Sequence, residues 1–215
     1  MPNYKLASEQ AYKCLILYAP PTIPIDIFAV IKNSPKKIKV MSFKKWKEKL
    51  EKATGIEIVG EMKEIFGSEF GKTVYDTKKD CYLIIYNDKK CPKTQRWTIA
   101  HELGHIFLEH LEKYEEYFLE NKNNSEHEYQ KIEIKLEQEA NTFAKHLLVP
   151  FPLIKYLFKI FNRNKIFTFN IEEIFEIGPE ASENIINHLK KLYYWPSDTE
   201  LENKFIIPLK YIPRN

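Results

Sequence analysis

The apolar positions of this chain form a series of helical stretches with a short run of alternation between them, which predicts a small sheet set among helices. Residues 6–18 read as a helix with Leu6, Tyr12, Leu15 and Leu17 among its apolar positions, stopped by Pro20 and Pro21. A short helix is expected over 24–33. Lys37-Ile38-Lys39-Val40-Met41 alternates as a half-buried strand should, and Ser42 is placed to cap a lysine-rich helix running to Lys52. Residues 73–76 and 82–86 read as two further strands joined by a polar turn over 77–80. Asn87 to Lys90 ends the second of these, and Pro92 opens the next helix at a position where its missing N–H costs nothing.

Downstream the period is helical. Ile99, Ala100, Ile106, Phe107 and Leu108 belong to one buried helix, and residues 137–150 form another, with Ala140 and Ala144 one turn apart for close packing. Between them, 114–129 is acidic and polar, with a loop at 121–125. Helices are expected around 151–161 and 171–192, a turn over 195–198, and an added strand in the tail 205–212. The fold class is therefore α+β: a small mixed sheet packed on a helical bundle. Its organisation is expected as a core of residues 1–150 and a helical C-terminal subdomain of 151–215.

Composition narrows the partners more than the fold. With 215 residues and a net charge of +3, neither nucleic acid nor an anionic membrane is demanded. Cys14, Cys81 and Cys91 form no C-x-x-C pair, so no disulfide framework or cysteine metal site is indicated. No apolar run approaches the roughly 18 residues of a membrane span, and the N-terminus lacks a signal-like core, so a cytoplasmic protein is expected. The lysines of 44–52 are interrupted by Glu48 and Glu51, as on a solvated face. Residues 171–192 superficially resemble a helix-turn-helix, but Glu180 and Glu183 stand where a DNA reader presents cationic or amide side chains. Direct nucleic-acid binding is not expected.

The chemistry sits in His101-Glu102-Leu103-Gly104-His105. Positions i and i+4 on a helix are separated by only about 40° of rotation, so His101 and His105 can grip one ion while Glu102 stays beside it as a base. Three polar side chains on an apolar helix are costly unless something compensates them, and a metal does. Catalytic zinc takes three protein ligands and one water. Leu111 stands where a third histidine six residues after His105 would be, and His110 lies about 140° round from His105. The next helix supplies better donors. Glu137, on the same side as Ala140, is the favoured third ligand, with Asn141 one turn on to hydrogen-bond a ligating histidine. Glu139 points about 160° away from Glu137, so only one of the two can bind. His146 and Arg96 are candidates for stabilising an oxyanion, but His146 stands nine residues beyond Glu137, where a packed or exposed imidazole is the preferred reading.

Together, His101–His105 and the later Glu137-x-Glu139-Ala140-Asn141-x-Phe143-Ala144-x-x-Leu147-Leu148-x-Pro150 resemble the ImmA/IrrE family of zinc metallo-endopeptidases, over roughly residues 20–192. The second element is also similar to the Glu-x-x-x-Asp of gluzincins, with Asn141 where Asp is usual. The resemblance implies a zincin-like domain, Zn²⁺ on His101, His105 and Glu137, Glu102 as general base, and a protein substrate such as a helix-turn-helix repressor. The strand immediately before the motif helix is expected to offer an exposed edge to an extended peptide. The rival is a non-proteolytic regulator, a zincin-shaped module that binds a transcription factor or DNA, against which an intact Glu102 argues.

Overall fold

A computed structural model describes residues 1–113, 126–161, 168–192, 194 and 196–212. The expected loop at 121–125 and part of the turn over 195–198 lie outside these residues. The described chain groups into two compact units, one of residues 1–4 and 35–141, the other of 5–34 and 142–215.

The first unit is mixed α and β. Strand β1 (Ile38–Ser42) pairs in parallel with β3 (Cys81–Tyr86), and β2 (Gly71–Asp76) pairs antiparallel to β3, giving the order β1-β3-β2. The central strand is sheathed on both faces: neighbouring Ile84 and Ile85 point to opposite sides and both are fully buried. On one side Ile85 packs with Phe43, Met62, Trp46 and Phe66. These residues come from α3 (Phe43–Thr54) and α4 (Met62–Phe66). Ser42 caps α3 as expected, its hydroxyl accepting from the Lys45 N–H at 3.2 Å, and Gly55 closes the helix in the left-handed conformation. Helix α4, held by a Glu61/Glu64 capping box, falls in a stretch where no element was expected.

Helix α5 (Pro92–Phe107) begins at Pro92, packs on β2 and β3, and buries Ile99, Leu103 and Ile106. Helix α6 (Glu126–Leu148) carries Glu137, Glu139 and Asn141 in the first unit, and its last residues belong to the second. Ala140 and Ala144 are fully buried.

The second unit is helical: α1 (Tyr4–Tyr18), α2 (Ile27–Asn33), α7 (Phe151–Phe161), α8 (Thr168–Phe175), α9 (Pro179–Lys191) and α10 (Thr199–Lys210), around a core that includes Leu15, Phe143, Phe151, Phe175 and Phe205. The tail is not a strand. Asp198 caps α10 by accepting from the Leu201 N–H at 3.0 Å, and Leu201, Phe205 and Leu209, each four residues apart, form its buried stripe. Lys204 Nζ then donates to the Leu15 and Ile16 carbonyls in the last turn of α1, at 2.9 and 2.6 Å. In α9 the buried positions are Ser182, Ile185, Ile186 and Leu189, with Glu180 and Glu183 exposed. No helix among the described residues is long and apolar enough to cross a membrane.

Candidate metal centre

Helix α5 presents His101 and His105 on adjacent turns, and their Nε2 atoms stand 3.1 Å apart. Glu137 of α6 reaches between them. Its Oε2 lies 3.1 Å from His101 Nε2 and its Oε1 3.2 Å from His105 Nε2. Both imidazoles are largely buried, while Glu137 is half exposed, so the cluster opens to solvent on the carboxylate side.

These spacings suit a cation. Ligands held about 2.1 Å from a tetrahedral zinc stand roughly 3.4 Å from one another, and one donor atom from each of His101, His105 and Glu137 lies within 4.8 Å of the other two. Two imidazole nitrogens and one carboxylate are also a donor set that zinc takes in its hydrolytic sites. Among the described residues this trio is the group of His, Cys, Asp or Glu side chains able to converge on one ion.

The charges of the three side chains are coupled. Burial disfavours a charged His101, but hydrogen bonding to Glu137, the charges of Glu102 and Glu137 and a contact with Asn141 more than offset it, leaving the imidazole above its ordinary pKa. Burial likewise opposes the Glu137 carboxylate, yet His101 and His105 hold it well below the usual range. The pocket therefore favours an ionised carboxylate facing two imidazoles.

Around these three the outer groups are specific. Asn141 Oδ1 lies 3.0 Å from His101 Nδ1, so the nitrogen turned away from the cluster has its acceptor, as expected from its spacing after Glu137. Glu102 is buried, and its Oε2 accepts a 2.6 Å hydrogen bond from the Thr73 hydroxyl on β2. Two residues back on the same strand face, Gly71 leaves the space that Glu102 and Thr98 occupy: a Cβ there would lie 3.2 Å from Glu102 Oε1 and 2.4 Å from Thr98 Cγ2. Neither Thr73 nor Gly71 was singled out from the sequence. Their only local signal is the two-residue period of a strand, which does not say what the strand faces.

Two expectations need correcting. The strand directly before the motif helix, β3, is the middle of the sheet, so its backbone is paired on both sides; the edge beside Glu102 is β2. His110 does not face elsewhere. Helix α5 ends at Phe107, Glu109 adopts the left-handed conformation (φ 59°), and the chain doubles back so that His110 Nδ1 lies 3.1 Å from His105 Nδ1. His146 is a packed imidazole of the second unit, its Nδ1 2.7 Å from the Tyr12 hydroxyl and its ring against Phe151. Glu139 is turned from the trio to His110, whose Nε2 lies 3.2 Å from its Oε2, within hydrogen-bonding distance.

A family model described as peptidase M78, IrrE N-terminal-like domain, matches residues 62–184. The chain belongs to this family. The match encloses every side chain of the cluster, from Gly71 and Thr73 through the motif helix to Asn141. M78 peptidases are metallopeptidases, hydrolases that act on protein substrates, and the function of this M78 chain is of that type. The α+β architecture with its three-stranded sheet is that of the M78 zincin-like domain. No curated protein matches the chain.

Proposed function

We propose that this M78 protein is a zinc-dependent endopeptidase of the cytoplasm that cleaves a regulatory protein of the helix-turn-helix repressor class. The observation that carries the reading is the convergence of His101 Nε2, His105 Nε2 and the Glu137 carboxylate, with a buried Glu102 on the neighbouring position of the same helix. The repressor class of substrate rests on the resemblance of the two helical motifs to ImmA/IrrE proteins.

His101, His105 and Glu137 would hold the ion. When bound, zinc supplies Lewis acidity, lowering the pKa of a water towards about 7 and polarising a carbonyl. Glu102 takes a proton from the attacking water and delivers it to the leaving amine. Thr73 holds Oε2 of that carboxylate and Gly71 leaves Oε1 its space, so one carboxylate rotamer is selected before substrate arrives. Beside Glu102, β2 exposes Lys72, Val74 and Tyr75, and among the described residues it is an edge strand, paired with β3 alone, so its other side could align an extended peptide.

The test uses zinc-loaded protein incubated with repressor-like proteins, with peptide products followed by mass spectrometry. Cleavage should stop with a chelator. Glu102→Gln should keep its zinc and lose about 10²–10⁴-fold in rate. Undiminished proteolysis by that variant would refute the base assignment. Tight, zinc-dependent binding of the repressor without any cleavage by the wild type would replace the peptidase with a sequestering module.

A further inference from the structure

His110 belongs to none of the roles above, yet it is 2 % exposed and lies with a ring nitrogen against a proposed metal ligand. A neutral imidazole has one N–H and one lone pair, so burial at 2 % demands a donor for one side and an acceptor for the other. Both are present. His110 Nδ1 is 3.1 Å from His105 Nδ1, and His110 Nε2 is 3.2 Å from Glu139 Oε2.

With both imidazoles neutral, as a metal-ligating His105 must be, one arrangement of protons satisfies the His105–His110–Glu139 contacts. The carboxylate of Glu139 accepts, so His110 carries its proton on Nε2 and offers a lone pair at Nδ1. His105 must then carry its proton on Nδ1 and donate it to His110, which leaves the His105 Nε2 lone pair facing Glu137 and His101. The far end is anchored too. Glu139 Oε1 accepts a 2.6 Å hydrogen bond from the Asn3 backbone N–H, and Lys135 Nζ stands 4.0 Å from the same oxygen.

From this geometry we infer that His110 and Glu139 form a positioning relay that fixes the tautomer and ring orientation of His105 for metal binding. The inference rests on the metallopeptidase reading of the His101–His105–Glu137 cluster and adds residues to it. It makes the two ligand histidines unequal. His101 is oriented by one amide oxygen, on Asn141, and His105 by a charged carboxylate acting through a second imidazole. The left-handed turn at Glu109 is what brings the relay into reach. Without it His110 would continue round α5 away from His105.

Zinc alone is the first probe, its affinity measured by competition with a chromophoric chelator on the full chain. His110→Ala should weaken binding about 10- to 100-fold, the range usual when an outer partner of a ligating histidine is lost. Because removing a buried ring opens a cavity, His110→Leu fills the volume without restoring the relay and should bind as weakly. His110→Gln, whose amide can accept from His105 and donate to Glu139, should recover most of the affinity. Substituted cobalt is the second probe. The His105 Nδ1–H should appear among the paramagnetically shifted ring N–H signals, slow to exchange in the wild type and fast in His110→Leu. Affinity and exchange unchanged in both His110→Ala and His110→Leu would overturn the relay alone. A wild type that binds neither zinc nor cobalt would overturn the metallopeptidase reading and take the relay with it.

Discussion

Each compact unit buries histidine side chains, and the comparison between them shows what separates a site from a core. In the second unit His146 is paired with the Tyr12 hydroxyl, set edge-on to its ring and against Phe151, with no carboxylate among these contacts. Burial first, then the charges of Lys145 and His188, pushes its pKa down to about 3. In the first unit His101 and His105 have their outer nitrogens engaged and their inner ones aimed at Glu137. His146 is a neutral aromatic with a polar handle satisfied internally. His101 and His105 turn their inner nitrogens to a carboxylate. What differs is the partner, not the residue type or the degree of burial.

The largest effect that would break this comparison is on metal binding. Glu137→Ala should lower zinc affinity by at least about 10²-fold, since it removes a proposed ligand and not merely an outer partner. His146→Ala should leave zinc affinity unchanged and destabilise the fold by about 2–4 kcal/mol, as truncation of a buried ring does. Chelator competition and denaturant unfolding on both variants read the two effects apart, and metal loss in His146→Ala would dissolve the distinction.

A smaller effect sharpens it through pH. The folded-state pKa of His146 lies below its unfolded value of about 6.5, so the unfolded chain takes up a proton first as pH falls. The associated stability is fully present above about pH 6.5 and is lost progressively towards about pH 3, amounting to roughly 2 kcal/mol by pH 5. In urea titrations at pH 7 and pH 5, His146→Phe should show a correspondingly shallower loss. An equal slope in both proteins would mean that His146 does not titrate on unfolding as its packing implies.

The smallest effect concerns the base. Thr73→Val removes the hydroxyl that holds Glu102 Oε2 while keeping the β-branched shape. About a tenfold fall in kcat is expected from a less restrained carboxylate, with zinc content and folding little changed. Zinc content falling in step with rate would assign Thr73 to building the metal pocket instead.

Much of this site was legible in the primary structure because helices repeat locally. His101, Glu102 and His105 are set by a four-residue spacing, and the same geometry relates Glu137 to Asn141. The α+β class followed from where alternation gave way to helical period. The misses share a different character. The tail at 205–212 contains β-branched and aromatic residues that suit a strand, and its helical stripe shows only when Leu201 and its cap are counted with Phe205 and Leu209. His110 was misplaced because a regular helix was extended through Glu109, and a non-glycine residue gives little warning of a positive φ.

Residue types and spacings alone thus placed His101, Glu102 and His105 on one helix and Glu137 and Asn141 on the next, because along a helix side-chain direction follows from counting. Tertiary structure decided which strand became the edge next to Glu102, which carboxylate turned to His101 and His105 and which to His110, and that residues 5–34 group with 142–215. Those outcomes depend on pairings between segments far apart in the chain, where loop closure and shared burial of apolar surface select the partner and no local period encodes it.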